Sequence, residues 1–171
     1  MSQDGHLQAR PTHHRRRQAR MQVPYELRAS SIAGVGLFAT ALIARGTLLW
    51  KYGPESVIVH NEESLRARLA DLSKPGQVEL CEHVYCWEGK VIEILDDAKM
   101  WNHARAGQNT GNHPDEAQGE GDGESSYALR DIEAGEELLD DYSTYDALPW
   151  FEAVCAEVGA QSCTTVGHQF E

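Results

Sequence analysis

The apolar residues of this chain arrive in short packets. Val35-Gly36-Leu37-Phe38-Ala39, Leu48-Leu49-Trp50, Val57-Ile58-Val59 and Val91-Ile92-Glu93-Ile94-Leu95 are each interrupted within a few residues by glycine, polar or charged residues. Packets of this length, bounded by turn formers, build short strands in small sheets. No window approaches the ~18 apolar residues of a membrane-spanning helix. With 171 residues and 41% apolar composition, one core with flexible additions is expected. The fold class is therefore mainly β (β-rich α+β), with a few short helices.

The first β-like signals are Leu27 and Val35–Ala39, punctuated by Ser30, Ser31, Gly34 and Gly36. A run from Leu42 to Trp50 follows and closes at Gly53-Pro54. Asn61 is a good helix N-cap for Glu62–Leu72, where Leu65, Leu69 and Leu72 form one stripe, and Lys74-Pro75-Gly76 is read as its end. Residues 83–95 alternate well enough for two strands joined at Glu88-Gly89. Asn102 to Ser126 reads as loop, and strand character resumes at Tyr127-Ala128-Leu129. Ala147–Val158 reads as a helix, with Pro149 in its first turn and Gly159 at its C-terminal cap. Two units echo each other: Ile43-x-x-Gly46-x-Leu48-Leu49 and Ile132-x-x-Gly135-x-x-Leu138-Leu139. Two copies are too few for a repeat protein. Either they are related turns or this is how any two hairpins look.

Charge is lopsided: 27 acidic against 15 basic side chains, a formal net of −12. Residues 1–20 run the other way, with five arginines (Arg10, Arg15, Arg16, Arg17, Arg20) against Asp4. So acidic a body disfavours duplex nucleic acid as the main ligand, except through the basic tail, and suits a cationic partner. Residues 1–21 are expected to be a flexible basic tail. Residues 114–125 are expected to be a mobile acidic insertion, since Asp115–Glu124 holds five acids and three glycines. Four cysteines (Cys81, Cys86, Cys155, Cys163) do not make a disulfide scaffold. They read as reduced, in an intracellular protein of nucleus or cytoplasm. Cys81-x-His83-x-x-Cys86 lacks an accompanying CxxC pair, and no metal site is expected. No membrane association is expected either.

Taken singly, the chemical motifs are weak. Gly34-x-Gly36 lacks the third glycine and following helix of a dinucleotide fingerprint. Asn102-His103 and Asn109 read as solvated loop residues, and Asp141-Tyr142 reads as readily as sheet packing as it does as part of a site. Their order is more telling. A glycine pair precedes the strand Leu37-Phe38-Ala39, and Asn102-His103…Asn109 follows. Then Arg130-Asp131-Ile132-x-x-Gly135-Glu136-Glu137-Leu138 leads to Asp141-Tyr142. Over residues 22–146 this series resembles the SET domain of protein (histone) lysine methyltransferases, in a small stand-alone form.

The resemblance implies small curved β-sheets, with the Asn-His segment and the C-terminal Tyr segment passing through each other in a knot-like crossing. It implies S-adenosyl-L-methionine as cofactor, bound by Gly34, Val35, Gly36, Asn102, His103 and Tyr142. It also implies a narrow channel in which Tyr142, with Tyr145 beside it, orients a lysine amine. Tyr85, Trp101, Trp150 and Phe151 are expected to line that channel, with residues 147–171 as a helical segment completing it; the Trp150-Phe151 stripe reads equally well as packing on the core. Trp87 and Tyr127 are further aromatic candidates. The implied partner is a protein with a basic, lysine-containing segment, such as a histone tail. Two departures stand out: Ala104 follows Asn102-His103 where the family usually has serine, and Asp140 stands where an aromatic is common. They motivate a competing reading, a non-catalytic module of the same fold that binds a basic peptide or a partner protein.

Overall fold

The computed structural model describes residues 21–104, 106–116 and 123–169. The basic tail, apart from Met21, and the middle of the acidic insertion (117–122) lie outside the described residues. Four small sheets carry the architecture. Strand β1 (Tyr25–Ala29) pairs antiparallel with β2 (Val35–Ala39), Leu27 opposite Leu37. Strand β3 (Leu48–Lys51) pairs with β9 (Ser125–Ala128), which also holds β8 (Thr110–Gly111). Strand β4 (Val57–His60) and β5 (Val84–Trp87) flank β6 (Lys90–Ile94). The two-residue strands β7 (Asn102–His103) and β10 (Leu139–Asp140) pair in parallel.

Helix α1 (Glu62–Ala70) starts where Asn61 and Ser64 form a reciprocal capping box, and Leu65 and Leu69 are its buried stripe. Lys74-Pro75-Gly76 does not simply end that helix. Ser73 caps a new one, α2 (Lys74–Glu82), because proline is preorganised for a first turn where its missing N–H costs nothing. Helix α3 (Pro149–Val158) closes on left-handed Gly159. Helix α4 (Cys163–His168), capped by the Ser162 hydroxyl on Thr165 N, lies in the 147–171 segment expected to be helical, though the sequence marked no boundary between it and α3.

The sheet β4-β6-β5 separates two cores. Because successive strand residues face opposite sides, Tyr85 and Ile92 join the main core with Leu37, Leu49, Trp50, Trp101, Ile132 and Leu138. Val84, Cys86 and Val91 face the helices, packing with Leu65, Leu69, Phe151 and Val154.

The two echoing units lie against each other. Ile43 and Ile132 exchange both backbone hydrogen bonds, each at 2.9 Å. Gly46 N–H donates to the Ala128 carbonyl and Gly135 N–H to the Ala39 carbonyl, both at 2.7 Å. Ala39 N–H and Ala128 N–H return bonds to the carbonyls of Glu136 and Thr47. Every one of these partners maps onto its counterpart by the same offset, so the two turns are related by a local two-fold. Gly46 (φ +79°) and Gly135 (φ +88°) occupy the left-handed region that glycine alone tolerates cheaply.

The crossing of the chain is held by Asn109. Its Nδ2 donates to the Glu137 carbonyl and its Oδ1 accepts from Leu139 N–H, each at 2.8 Å. Residues 137–140 thus lie between β7, where Ala104 N–H reaches the Asp140 carbonyl at 2.9 Å, and the segment 109–110. Asn109 is 1% exposed, so the solvated-loop expectation fails for it: its amide satisfies buried backbone groups that no sheet neighbour reaches.

Candidate active site

Asn102, on β7, is tied to the glycine segment from below. Its Nδ2 lies 3.1 Å from the Ala33 carbonyl and 2.8 Å from Glu137 Oε1. The other Glu137 oxygen accepts the Ser30 hydroxyl at 3.0 Å. Gly36 lets both side chains lie over the segment as they do, since a Cβ there would displace the Glu137 carboxylate and meet Asn102 Nδ2 at 3.1 Å. At Gly34 (φ +46°) nothing lies within 4 Å of the Cβ position. Gly34, Val35, Gly36, Asn102 and Glu137 therefore form one cluster, open at Gly34 and closed at Gly36.

His103 is the link from this cluster to Tyr142. Its Nδ1 accepts the Tyr142 backbone N–H at 3.1 Å, and the two rings lie 5.2 Å apart. The Tyr142 hydroxyl donates to the Trp101 carbonyl. Tyr142 sits in a single-turn 3₁₀ segment, Tyr142–Thr144, whose start is fixed by the Asp141 carboxylate accepting Ser143 N–H at 3.0 Å.

The Tyr142 ring faces a cavity of about 530 Å³ lined by Trp50, Tyr85, Trp87, Trp101 and Tyr145 among others. The Tyr85 and Tyr145 rings are 5.0 Å apart, and the Tyr85 hydroxyl donates to the Gly123 carbonyl at 3.1 Å. The Tyr145 hydroxyl donates to Asp140 Oδ2 at 2.6 Å. Burial holds both the Tyr142 and Tyr145 hydroxyls above the ordinary phenol range, with the nearby Asp140 charge adding to it. Both stay protonated at neutral pH and act as hydrogen-bond donors, which suits positioning and disfavours a base role.

Of the residues expected at the channel, Tyr85, Trp101, Tyr142 and Tyr145 meet in this cavity. Trp150 and Phe151 do not. Phe151 is fully buried in the second core and Trp150 packs beside it, on the helix side of the β5-β6 sheet, whereas Tyr85 and Trp87 stand on the other side. The proline-initiated start of α3 directs its stripe at Val84 and Cys86, and α4 contributes the cavity wall instead through Cys163. Burial pushes the Cys163 thiol up to about 12, so it stays neutral. Gly167, one helical turn on, lies so close that a Cβ would stand 2.6 Å from Ser143 N. Tyr127 is outside the cavity and meets the His113 ring edge-on at 4.9 Å.

Asp140, Cys163, Trp50 and Glu137 complete the site without having been singled out for it. Only Asp140 left a signal, as a charge where the motif it resembles has an aromatic. The described cavity wall carries four carboxylates, Glu82, Glu116, Asp140 and Asp141, against one lysine, Lys99. Among the described residues no group of three or more His, Cys, Asp or Glu side chains could hold a metal ion. His83 Nδ1 instead meets the Glu79 carbonyl at 2.8 Å.

A knot-like crossing, a glycine cluster and an aromatic cavity joined through one tyrosine define a SET-type methyltransferase architecture. The family model for the SET domain matches residues 34–143, and the chain belongs to that family. None of the curated proteins matches it. Among solved structures, a Plasmodium falciparum protein assigned as a histone methyltransferase is similar at 15% identity, with a TM-score of 0.44, covering 70% of this chain and 92% of that one. So loose an overlap decides nothing about this chain's activity. Membership of the family supports a methyltransferase-type function.

Proposed function

We propose that this protein is an S-adenosylmethionine-dependent protein-lysine N-methyltransferase acting on a basic segment such as a histone tail. The observation that carries the reading is the position of Tyr142. Its ring lines the aromatic cavity while its backbone N–H is bound to His103, next to the Asn102–Glu137–glycine cluster. One residue thus touches both a pocket of the right character for a lysine side chain and the segment expected to hold the methyl donor.

The residues of the glycine cluster fit that donor. Gly34 leaves open space at its Cβ position, and Asn102 Oδ1 has no protein partner among the described residues. The half-buried Glu137 carboxylate suits a cationic group. When bound, S-adenosylmethionine supplies an activated methyl group on a sulfonium. The protein's share is then alignment and a dry, dipole-lined channel: the cavity aromatics hold the lysine stem, exclude water and leave the amine facing the tyrosine hydroxyls. The acidic balance of the cavity wall favours a basic substrate.

The test is incubation with S-adenosylmethionine and core histones, followed by mass spectrometry of the histones and of the protein itself. Methyl-lysine is the expected product. Tyr142→Phe is expected to lower turnover about 100-fold, the scale of losing one transition-state donor, while cofactor binding by calorimetry stays within about twofold. Near-normal turnover by that variant sinks the assignment. Cofactor binding without transfer to any acceptor favours the non-catalytic peptide-binding module.

A further inference from the structure

Asp140 is a carboxylate in the wall of an aromatic cavity, and no ion-pair partner stands against it among the described residues. It lies on β10 near Tyr142, Tyr145 and Cys163, which line the same cavity. Its Oδ2 accepts the Tyr145 hydroxyl at 2.6 Å and its Oδ1 accepts the Asp141 backbone N–H at 2.8 Å. It forms no ion pair with any described lysine, arginine or histidine. Among the titratable groups around it, none is a lysine or arginine in contact with its carboxylate. Tyr142, Tyr145 and the Cys163 thiol are held neutral by burial. Asp141 adds a like charge, which His103, opposite Asp140 in the β7-β10 pair, offsets in part without contacting the carboxylate. Burial pushes the Asp140 carboxyl above the ordinary range, against the pull of the Tyr145 hydroxyl. A partly desolvated carboxylate is stabilised most by a cation brought to it, and a cavity beside it is open to receive one.

We propose that Asp140 is a catalytic residue that receives the substrate lysine's ammonium group and accepts the proton that must leave before methyl transfer. The inference rests on the methyltransferase reading above. One proton passes from the ammonium nitrogen to the carboxylate, leaving a neutral amine and a carboxylic acid. The amine lone pair then forms the nitrogen–carbon bond as the carbon–sulfur bond of the sulfonium methyl donor breaks. Its electron pair stays on sulfur, which becomes a thioether. The product leaves as a methylammonium cation and the carboxylic acid returns its proton to solvent. Tyr145, bonded to Asp140, keeps the carboxylate turned towards the cavity.

The test has an arm that does not depend on activity. Binding of n-butylammonium, a lysine side-chain mimic, and of neutral n-pentanol is followed by NMR on the full chain. Wild type is expected to bind butylammonium more tightly than pentanol. Asp140→Asn is expected to lose about tenfold or more in butylammonium affinity, as for a charged hydrogen bond, and to keep pentanol binding, which reports an intact cavity. Tyr145→Phe keeps the carboxylate and is expected to keep most of the preference for the cation. In the second arm, histone methylation is followed from pH 6 to 10. Asp140→Asn is expected to lower kcat about 100-fold near neutrality. That deficit should shrink as pH rises towards the free lysine value of ~10.4, where solvent deprotonates the substrate. Unchanged butylammonium binding in Asp140→Asn overturns the proposal, as does a pH-independent deficit. Binding of butylammonium that needs Asp140, with no methyl transfer by wild type, fails the methyltransferase reading and the proton step while supporting the ammonium contact.

Discussion

Glu93 shows how one residue can be stabilised as an anion away from solvent. It is 5% exposed, on the helix-facing side of β6, where burial works against its charge. Arg68 Nη2 at 3.1 Å and His60 Nε2 at 2.9 Å outweigh that cost and hold its carboxyl below the ordinary range. A carboxyl depressed by folding contributes stability that is fully present above its unfolded value of ~4.3 and is lost as pH falls through the folded value. Glu93→Gln is therefore expected to cost about 1–3 kcal/mol at pH 7 and to flatten the acid-side decline. Urea melts between pH 3 and 7 measure both. His60 and Glu93 sit in apolar-looking strand packets, and nothing in their spacing announced the pair; the antiparallel register that sets Ile58 opposite Glu93 brings His60 within reach.

At the scale of elements, the short helix α4 has a large effect because of what it touches. It carries Cys163 into the cavity wall and rests Gly167 on the Tyr142–Ser143 backbone. Overpacking a tight contact typically costs ~1–3 kcal/mol. Gly167→Ala is expected to cost that much in thermal melts and to lower kcat at least tenfold by displacing the turn that holds Tyr142. An equal loss of stability elsewhere, for example from Glu93→Gln, should leave kcat near wild type when both are assayed well below their melting temperatures. α1, α3 and the hairpin at Glu88-Gly89 were legible from caps, stripes and alternation, which are local properties. α2 was not, because Lys74-Pro75-Gly76 reads as a helix stop as readily as a start, and α4 is too short to carry a stripe that would mark its own bounds.

For the whole molecule, the excess of acid, a formal net of −12, is expected to act at the encounter with substrate. Raising salt from about 0.05 to 0.5 M shortens the screening length to a few ångströms. KM for a basic histone peptide should then rise several-fold with kcat little changed; a KM indifferent to salt rules out electrostatic collection. The sequence by itself determined the strand-rich class, the hairpin at Glu88-Gly89, the caps of α1 and α3, and the order of motifs that marks the family. These depend on local backbone preference and on residue identity, which the chain carries explicitly. Only the tertiary structure decided which side of the β4-β6-β5 sheet each aromatic faces, putting Phe151 in the helical core and Tyr85 in the cavity. It alone set Asn109 as the clasp of the crossing, paired Ile43 with Ile132, and brought Asp140 beside Tyr145. Each of the first two outcomes depends on contacts between segments tens of residues apart, and Asp140 faces an aromatic cavity built by such contacts. No spacing rule encodes them.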